Sequence, residues 1–398
     1  MFGPRHSSSG RGVLDFPLGA EEFPRKEETV AFPRPKYTLA RGSQVKKISA
    51  GVIGCGNISF DHCSLLKQSD LYDLVALADI SRDALERRAR EFDVARRSLH
   101  YQDLLADPDV EAVWILTPPA SHAEIAIAAL RAGKHVFCEK PLARTSAECR
   151  AVAAAAQPGH TVFLLGYPLR HSRDALNLRA VIQSGKLGRP VFFRDVWALC
   201  KGSPSPAIHD AADGGGVLFE HTHWLDLVRF IFGPVRKVYG STHRLKPGGT
   251  TAEDTFIAIL DFVSGDQAVW SESWAAPGMG WDQYVGRLVR PTTDVIGTAG
   301  SLHFPGPRGE QRLTRYENRA GALEPVESWD WENDWGTSED AFPTEHRHFY
   351  DCVRGGASPV CTISDGMAAI ELSEAILESS RTGMPVFLET AEGKSAGV

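Results

Sequence analysis

One arrangement constrains this chain more than any other. The stretch KKISAGVIGCGNIS, Lys46 to Ser59, is an apolar strand pattern that runs straight into a glycine turn. Gly54, Gly56 and Ser59 hold the three positions of G-x-G-x-x-G, with serine in the third. FDHCSLLKQS follows as a helix candidate, and YDLVALAD reads as a second buried strand ending in Asp79. That acid stands about twenty residues beyond the turn, where a carboxylate accepts from ribose hydroxyls. Glycines let a backbone approach a pyrophosphate, and the helix N-terminus favours its charge. A lone glycine motif is weak. One set between a strand and a helix, with an acid closing the next strand, predicts a dinucleotide-binding βαβ unit.

The alternation continues. SRDALERRAREFD reads as a helix, DLLADPDVE as a short helix and turn, AVWILTPP as a strand, ASHAEIAIAALRAG as a helix closed by Gly133, and KHVFCEKP as the next strand. Strand and helix in this order predict a parallel doubly wound sheet. Ligands of such sheets sit beyond the carboxyl ends of the strands. Asp79, Thr117 to Pro119 and Glu139 to Pro141 all fall there. The EKP stretch raises its own question, since a charged pair at the tip of a buried strand is costly unless paired or used. Its position predicts that Lys140 points into the cofactor crevice. The expected cofactor contacts are Gly54, Gly56, Asn57, Ile58, Asp79, Ser81, Arg82, Thr117, Pro118, His122, Glu139 and Lys140. Asp79 would repel a 2′-phosphate, which favours NAD. Ser81 and Arg82 could cradle one, which keeps NADP open.

The bulk numbers exclude several classes. At 398 residues the chain is too long for one ordinary core. A formal net charge of −7 argues against nucleic acid or an anionic membrane as the main partner. No apolar run approaches the roughly 20 residues that span a bilayer. The seven cysteines are scattered without a CxxC pair, which suggests free thiols in a reducing, cytoplasmic setting. Residues 1–47 are rich in Pro, Gly and Ser and lack a periodic apolar face. They read as a flexible leader or as an arm on a neighbouring subunit through Phe16, Phe23 and Phe32.

GVIGCGNIS, LVALAD, TPPASHAEIAIAALRAGKHVFCEKPLA and GGGVLFEHTHWLDLVRFIFG together resemble the Gfo/Idh/MocA family of nicotinamide-dependent oxidoreductases, the inositol and sugar dehydrogenases. DCVRGGASPVCTISDGMAAIELSEAILESSRTGMPV resembles that family's C-terminal helix. The likeness covers roughly Lys47 to Phe387. It implies a Rossmann domain over 48–167 and an α+β substrate and oligomerisation domain over 168–398. The second domain would be built on a large, mostly antiparallel sheet with one face used for subunit contacts, giving a homodimer or homotetramer. PVFFRDVWAL, VRKVYGSTHRL, TFIAILDF, QAVWSESWA and DVIGTAGSLHF agree as strand candidates.

The resemblance also implies a catalytic pair. In the family, the lysine of EKP and a histidine after the GGG segment act on one substrate hydroxyl, and Lys140 and His223 match them. Neutral imidazole suits removal of a hydroxyl proton near pH 7. A nearby ammonium would stabilise developing alkoxide. The inositol-dehydrogenase pattern has an aspartate four residues before the histidine, whereas this chain has Glu220 three before His223. Residues three apart on a helix share a face, so Glu220 is expected to take the aspartate's place. His221 competes with His223, and Asp226 either orients the imidazole or caps the structure.

Arg170 either touches nicotinamide or substrate, or holds a hinge salt bridge. All tryptophans but Trp114 lie beyond residue 190, and Trp197 and Trp281 are candidates to stack on sugar faces. Glu327 to Trp335 reads as a cleft rim, a subunit contact or a solvated loop. No HExxH or Cys/His spacing supports a metal among His209, Asp210, Asp213, His221 and His223. The expected activity is NAD(P)-dependent oxidation of a secondary hydroxyl on a sugar, inositol or related polyol. The alternatives are a redox-neutral glycosidase or epimerase passing through a keto sugar, and a non-catalytic NAD-binding regulator.

Overall fold

Short apolar runs build the first sheet of the computed structural model, which describes residues 46–156, 159, 161–198, 210–246, 250–275, 293–303, 312–330 and 340–389. Residues 1–45 of the leader, His209, Trp281 and the end of the Glu327–Trp335 stretch lie outside these residues. In chain order the first half comprises β1 (Ile48–Ile53), α1 (Ile58–Gln68), β2 (Tyr72–Ala78), α2 (Arg82–Glu91), β3 (Arg96–Ser98), α3 (Tyr101–Ala106), β4 (Ala112–Ile115), α4 (Pro119–Arg131), β5 (His135–Glu139), α5 (Ser146–Ala155) and β6 (Phe163–Gly166). The strands pair in parallel in the order β3-β2-β1-β4-β5-β6. Chain direction is constant, so all carboxyl ends meet along one edge, and the order reverses between β1 and β4. The apolar-run criterion passes over β3, whose Arg96, Arg97 and Ser98 carry no buried side chain.

A 3₁₀ turn (Pro168–His171) leads into α6 (Arg173–Gln183) and the second sheet. Its strands are β7 (Phe192–Ala198), β8 (Val235–His243), β9 (Thr255–Phe262), β10 (Gln267–Ser273), β11 (Asp294–Ile296), β12 (Gly300–His303), β13 (Arg312–Arg319), β14 (Ala322–Asp330) and β15 (Val386–Phe387). They lie in the order β14-β13-β12-β11-β7-β10-β9-β8-β15. Every pairing is antiparallel except β7 with β10. DVIGTAGSLHF, expected as one strand, is the β11–β12 hairpin, because Gly297 to Ala299 turn the chain back. Glu327 to Asp330, the described part of the acidic aromatic stretch, lie in β14.

Helices α7 (Val217–Glu220) and α8 (Thr222–Phe232) cover one face of this sheet. The final helices, α9 (Ala341–Gly355) and α10 (Ile363–Thr382), tie the two sheets together. Phe349 and Tyr350 of α9 and Ile363, Ala369 and Ile370 of α10 belong to the same buried core as β1, β4 and β5. The Phe349 ring stands edge-on to Trp114 at 5.1 Å and to Phe137 at 5.8 Å. At its far end α10 holds β8, with Ser379 Oγ accepting from Gly240 N at 3.0 Å. Helix α10 opens with a capping box in which Thr362 and Asp365 satisfy each other's backbone N–H.

Candidate active site

The glycine turn joins β1 to α1. Gly54 has φ +101°, and a Cβ there would meet Leu116 O at 2.6 Å, so only glycine fits. At Gly56 a Cβ would meet nothing within 4 Å, which leaves the outer side of the turn open to close approach by a ligand. Asn57 stands at the N-cap of α1 without a capping side-chain bond, and Ile58 begins the helix. The first N–H groups of α1 are therefore left for an anion. Asp79 Oδ2 accepts from Cys55 N at 2.6 Å and Oδ1 from Ser81 N at 2.7 Å, fixing the carboxylate beside the turn. Ser81 caps α2, accepting from Ala84 N, and Arg82 is exposed next to it. These residues fit a dinucleotide.

Arg88, on α2, is a residue that motif reading missed. It is buried, donates to Gly56 O at 2.7 Å and to Ser59 Oγ at 2.9 Å, and clamps the turn from below. Ser59 Oγ in turn donates to Gly56 O at 2.6 Å. A hydroxyl in the third motif position thus serves the turn. The available signal was the middle one of three arginines within the otherwise ordinary helix stretch LERRAR.

Two expected cofactor contacts lie beneath the crevice instead of in it. His122 is 1 % exposed, with Nδ1 2.7 Å from Pro141 O and Nε2 2.6 Å from Thr117 O. It links the loops after β4 and β5, and burial holds its pKa below the ordinary value. Thr117 Oγ1 accepts from Ser121, and Pro118 caps α4, so this loop is fixed at the strand end. Glu139 is also buried. Its Oε1 lies 3.0 Å from His62 Nε2, and its Oε2 accepts from Lys140 N at 3.1 Å. His62 Nδ1 lies 2.9 Å from His346 Nε2 on α9, and burial pushes the His346 pKa well below the usual value. The carboxylate of EKP therefore anchors the lysine's backbone to the core.

Lys140 itself reaches across to the second half of the chain. Its Nζ donates to Glu220 O at 2.9 Å and lies 3.1 Å from Glu220 Oε2. Register pairs Glu139 with Gly166, so Lys140 and Tyr167 leave neighbouring strands side by side. The His223 ring packs edge-on against Tyr167 at 5.8 Å. Lys140, Glu220 and His223 are thus brought to one edge of the first sheet. The helical argument for Glu220 and His223 needs correction. Glu220 closes α7, His221 breaks the helix at φ −100° and ψ 28°, and His223 belongs to α8.

Arg170 is the hinge salt bridge. It is buried and donates through Nε to Asp226 Oδ2 at 2.7 Å, through Nη2 to Asp226 Oδ1 at 2.5 Å, and to Asp365 Oδ1 at 2.8 Å. A guanidinium committed to two carboxylates is not free for substrate. Asp226 pairs with Arg170 through both carboxylate oxygens.

His221 has a partner that sequence reading did not name. Its Nδ1 lies 2.6 Å from Oε1 of Glu272, which is 1 % exposed on β10. Trp274 Nε1 donates to the same oxygen at 3.0 Å. The signal was a carboxylate on the inward register of β10, where Ala268 and Trp270 are buried. Among the described residues no group of three or more His, Cys, Asp or Glu side chains could hold a metal ion, and no helix is long and apolar enough to cross a membrane.

Comparison with known proteins agrees with this architecture. Residues 48–167 match the "Oxidoreductase family, NAD-binding Rossmann fold", and residues 175–303 match the "GFO/IDH/MocA C-terminal domain". Inositol 2-dehydrogenase 2 of Saccharopolyspora erythraea is 30% identical over 86% of this chain and 96% of its own. The scyllo-inositol 2-dehydrogenase (NAD(+)) of Bacillus subtilis is 25% identical over 86% of this chain and 97% of its own. Among solved structures, levoglucosan dehydrogenase with NADH superposes with a TM-score of 0.70 at 25% identity, covering 87% of this chain and all of the other. The chain belongs to the GFO/IDH/MocA family. It is an NAD-dependent oxidoreductase.

Proposed function

We propose that the protein oxidises a secondary hydroxyl of a sugar, inositol or related polyol with NAD, or runs the reverse reduction. His223 acts as general base, and Lys140 orients the reacting hydroxyl. The observation that carries this reading is the Lys140 ammonium, fixed at the strand edge and docked on Glu220 at the head of the segment bearing His223. The relatives named for inositols and levoglucosan support the substrate class.

The steps follow from the side chains. The Asp79 carboxylate accepts from the ribose hydroxyls, and the free N–H groups of α1 take the pyrophosphate charge. Bound nicotinamide supplies the hydride acceptor. Lys140 donates to the substrate oxygen and stabilises the negative charge that grows on it. His223 takes the hydroxyl proton. Glu220 holds Lys140 in place and accepts from a neighbouring substrate hydroxyl. Cys55, Cys63, Cys138, Cys149, Cys352 and Cys361 are free and buried, which suits a reducing compartment such as the cytoplasm.

Nicotinamide absorbance with a panel of inositols, aldoses, sugar acids and glycosides tests the reading. Steady reduction of NAD is expected with one class. Lys140→Ala and His223→Ala should each lower kcat by about 100-fold or more, from the loss of one proton-transfer or oxyanion-stabilising group. NADH binding, read by fluorescence, should stay within a few-fold of wild type. Unchanged turnover in either variant would refute the assignment.

A further inference from the structure

We infer that His221, held by Glu272, is a second hydroxyl-binding group of the substrate site, and that the enzyme therefore selects a vicinal diol. This rests on the dehydrogenase reading of the same site.

Position comes first. Lys140 Nζ is 2.9 Å from Glu220 O, the carbonyl of the peptide that joins Glu220 to His221. Standard peptide geometry then places the His221 Cα within about 6 Å of that ammonium. His221 also lies at the carboxyl ends of two parallel strands. Its ring is 5.5 Å from Trp197 at the end of β7 and 5.6 Å from Trp274, which follows β10.

Chemistry comes second. Nδ1 lies 2.6 Å from Glu272 Oε1, out of line for a hydrogen bond, and since two lone pairs at that distance would repel, the proton belongs on Nδ1 in a close ion-pair contact. Trp274 fixes that oxygen from another side. The Nε2 atom is consequently the working end of the ring. In the neutral imidazole it accepts from a hydroxyl, and in the charged one it donates to it. A histidine packed between Trp197 and Trp274, with its far nitrogen against a buried carboxylate, is held near one orientation before substrate arrives.

Division of labour follows. Lys140 and His223 serve the reacting oxygen, while His221 takes a hydroxyl on an adjoining carbon. Trp197, partly exposed, stands against the His221 ring as an apolar wall for the substrate's C–H face. A site built to bond a hydroxyl rejects the analogue lacking it far more strongly than a merely apolar pocket would.

The test compares kcat/KM for the best substrate of the panel with its analogues lacking one hydroxyl beside the oxidised carbon. For a cyclitol these are myo-inositol and the corresponding deoxyinositols. Wild type should prefer the diol by about 100-fold or more. His221→Phe should reduce that preference to within a few-fold, chiefly by losing activity on the diol, while activity on the deoxy analogue changes little. Glu272→Gln, which touches no substrate, should weaken the preference in part through KM and serves if His221→Phe fails to fold. A wild type indifferent to the deoxy position, or a preference untouched in both variants, overturns this inference alone. Absence of turnover with every compound overturns the dehydrogenase reading and this inference with it.

Discussion

Glu345 shows what a single buried group does to this protein's response to pH. It sits on α9 at 0 % exposure, and burial, reinforced by the Glu139 carboxylate, pushes its pKa well above the usual range. The native protein then keeps a proton that the unfolded chain has released. Between the ordinary carboxylate range and the raised value, stability falls as pH rises. Below the ordinary range both states are protonated and the effect vanishes. Glu345→Gln keeps the shape of the neutral acid and removes the titration. Within that window it should gain on wild type by up to about a factor of ten in the folding equilibrium per pH unit. Urea unfolding between pH 4 and pH 8 reads the difference, and an offset that does not change with pH would contradict it. Glu345 also marks the limit of what the sequence discloses. Gly54, Asp79 and Lys140 could be assigned because the chain itself puts them at a turn or a strand end. Arg170, Glu272 and Glu345 take their character from partners far along the chain, and no local spacing announces them.

At the level of elements, α10 carries the most consequence. Its Gly366 lies where a Cβ would come within 2.5 Å of Leu165 Cδ2 and 2.9 Å of Leu142 Cβ. Gly366→Val should destabilise the protein by about 1–3 kcal/mol through overpacking. Because Leu142 stands two residues after Lys140, turnover should fall as well. Thermal unfolding and kcat check the two effects, and a variant with wild-type Tm would show that the helix can shift aside. The alternation of the first half was legible, since strands buried on both faces read as continuous apolar runs. No unbroken apolar period announces helix α9, and β13 and β14 escape the apolar-run criterion. Their burial patterns mix with charge, as in ALEPVESWD, and only pairing with neighbours makes them strands.

Among the described residues, one face of the second sheet is exposed. Across β8, β9, β10, β7 and β11, the residues Tyr239, Ile259, Val269, Arg194 and Asp294 stand in register. The adjacent row carries Ile257 and Val196, both markedly exposed at 52% and 40%. Aliphatic side chains in register and exposed among the described residues fit a second copy of the chain better than water. Light scattering should find a dimer or a tetramer. Ile257→Asp should shift it toward smaller species while the circular dichroism stays native. A wild type that runs as a monomer would remove this face from the oligomer argument.

The closing of the first core by α9 and α10 also bears on how the chain is made. Synthesis proceeds from the N-terminus, so β1 to β6 leave the ribosome long before Phe349, Tyr350 and Ile370 exist. During that interval Trp114 and Phe137 lack the aromatic cover that α9 brings. The nucleotide-binding half is thus translated before the second half and is among the last parts to be finished. A nascent chain stalled near residue 340 would hold a sheet with a bare hydrophobic flank, the kind of surface that chaperones bind.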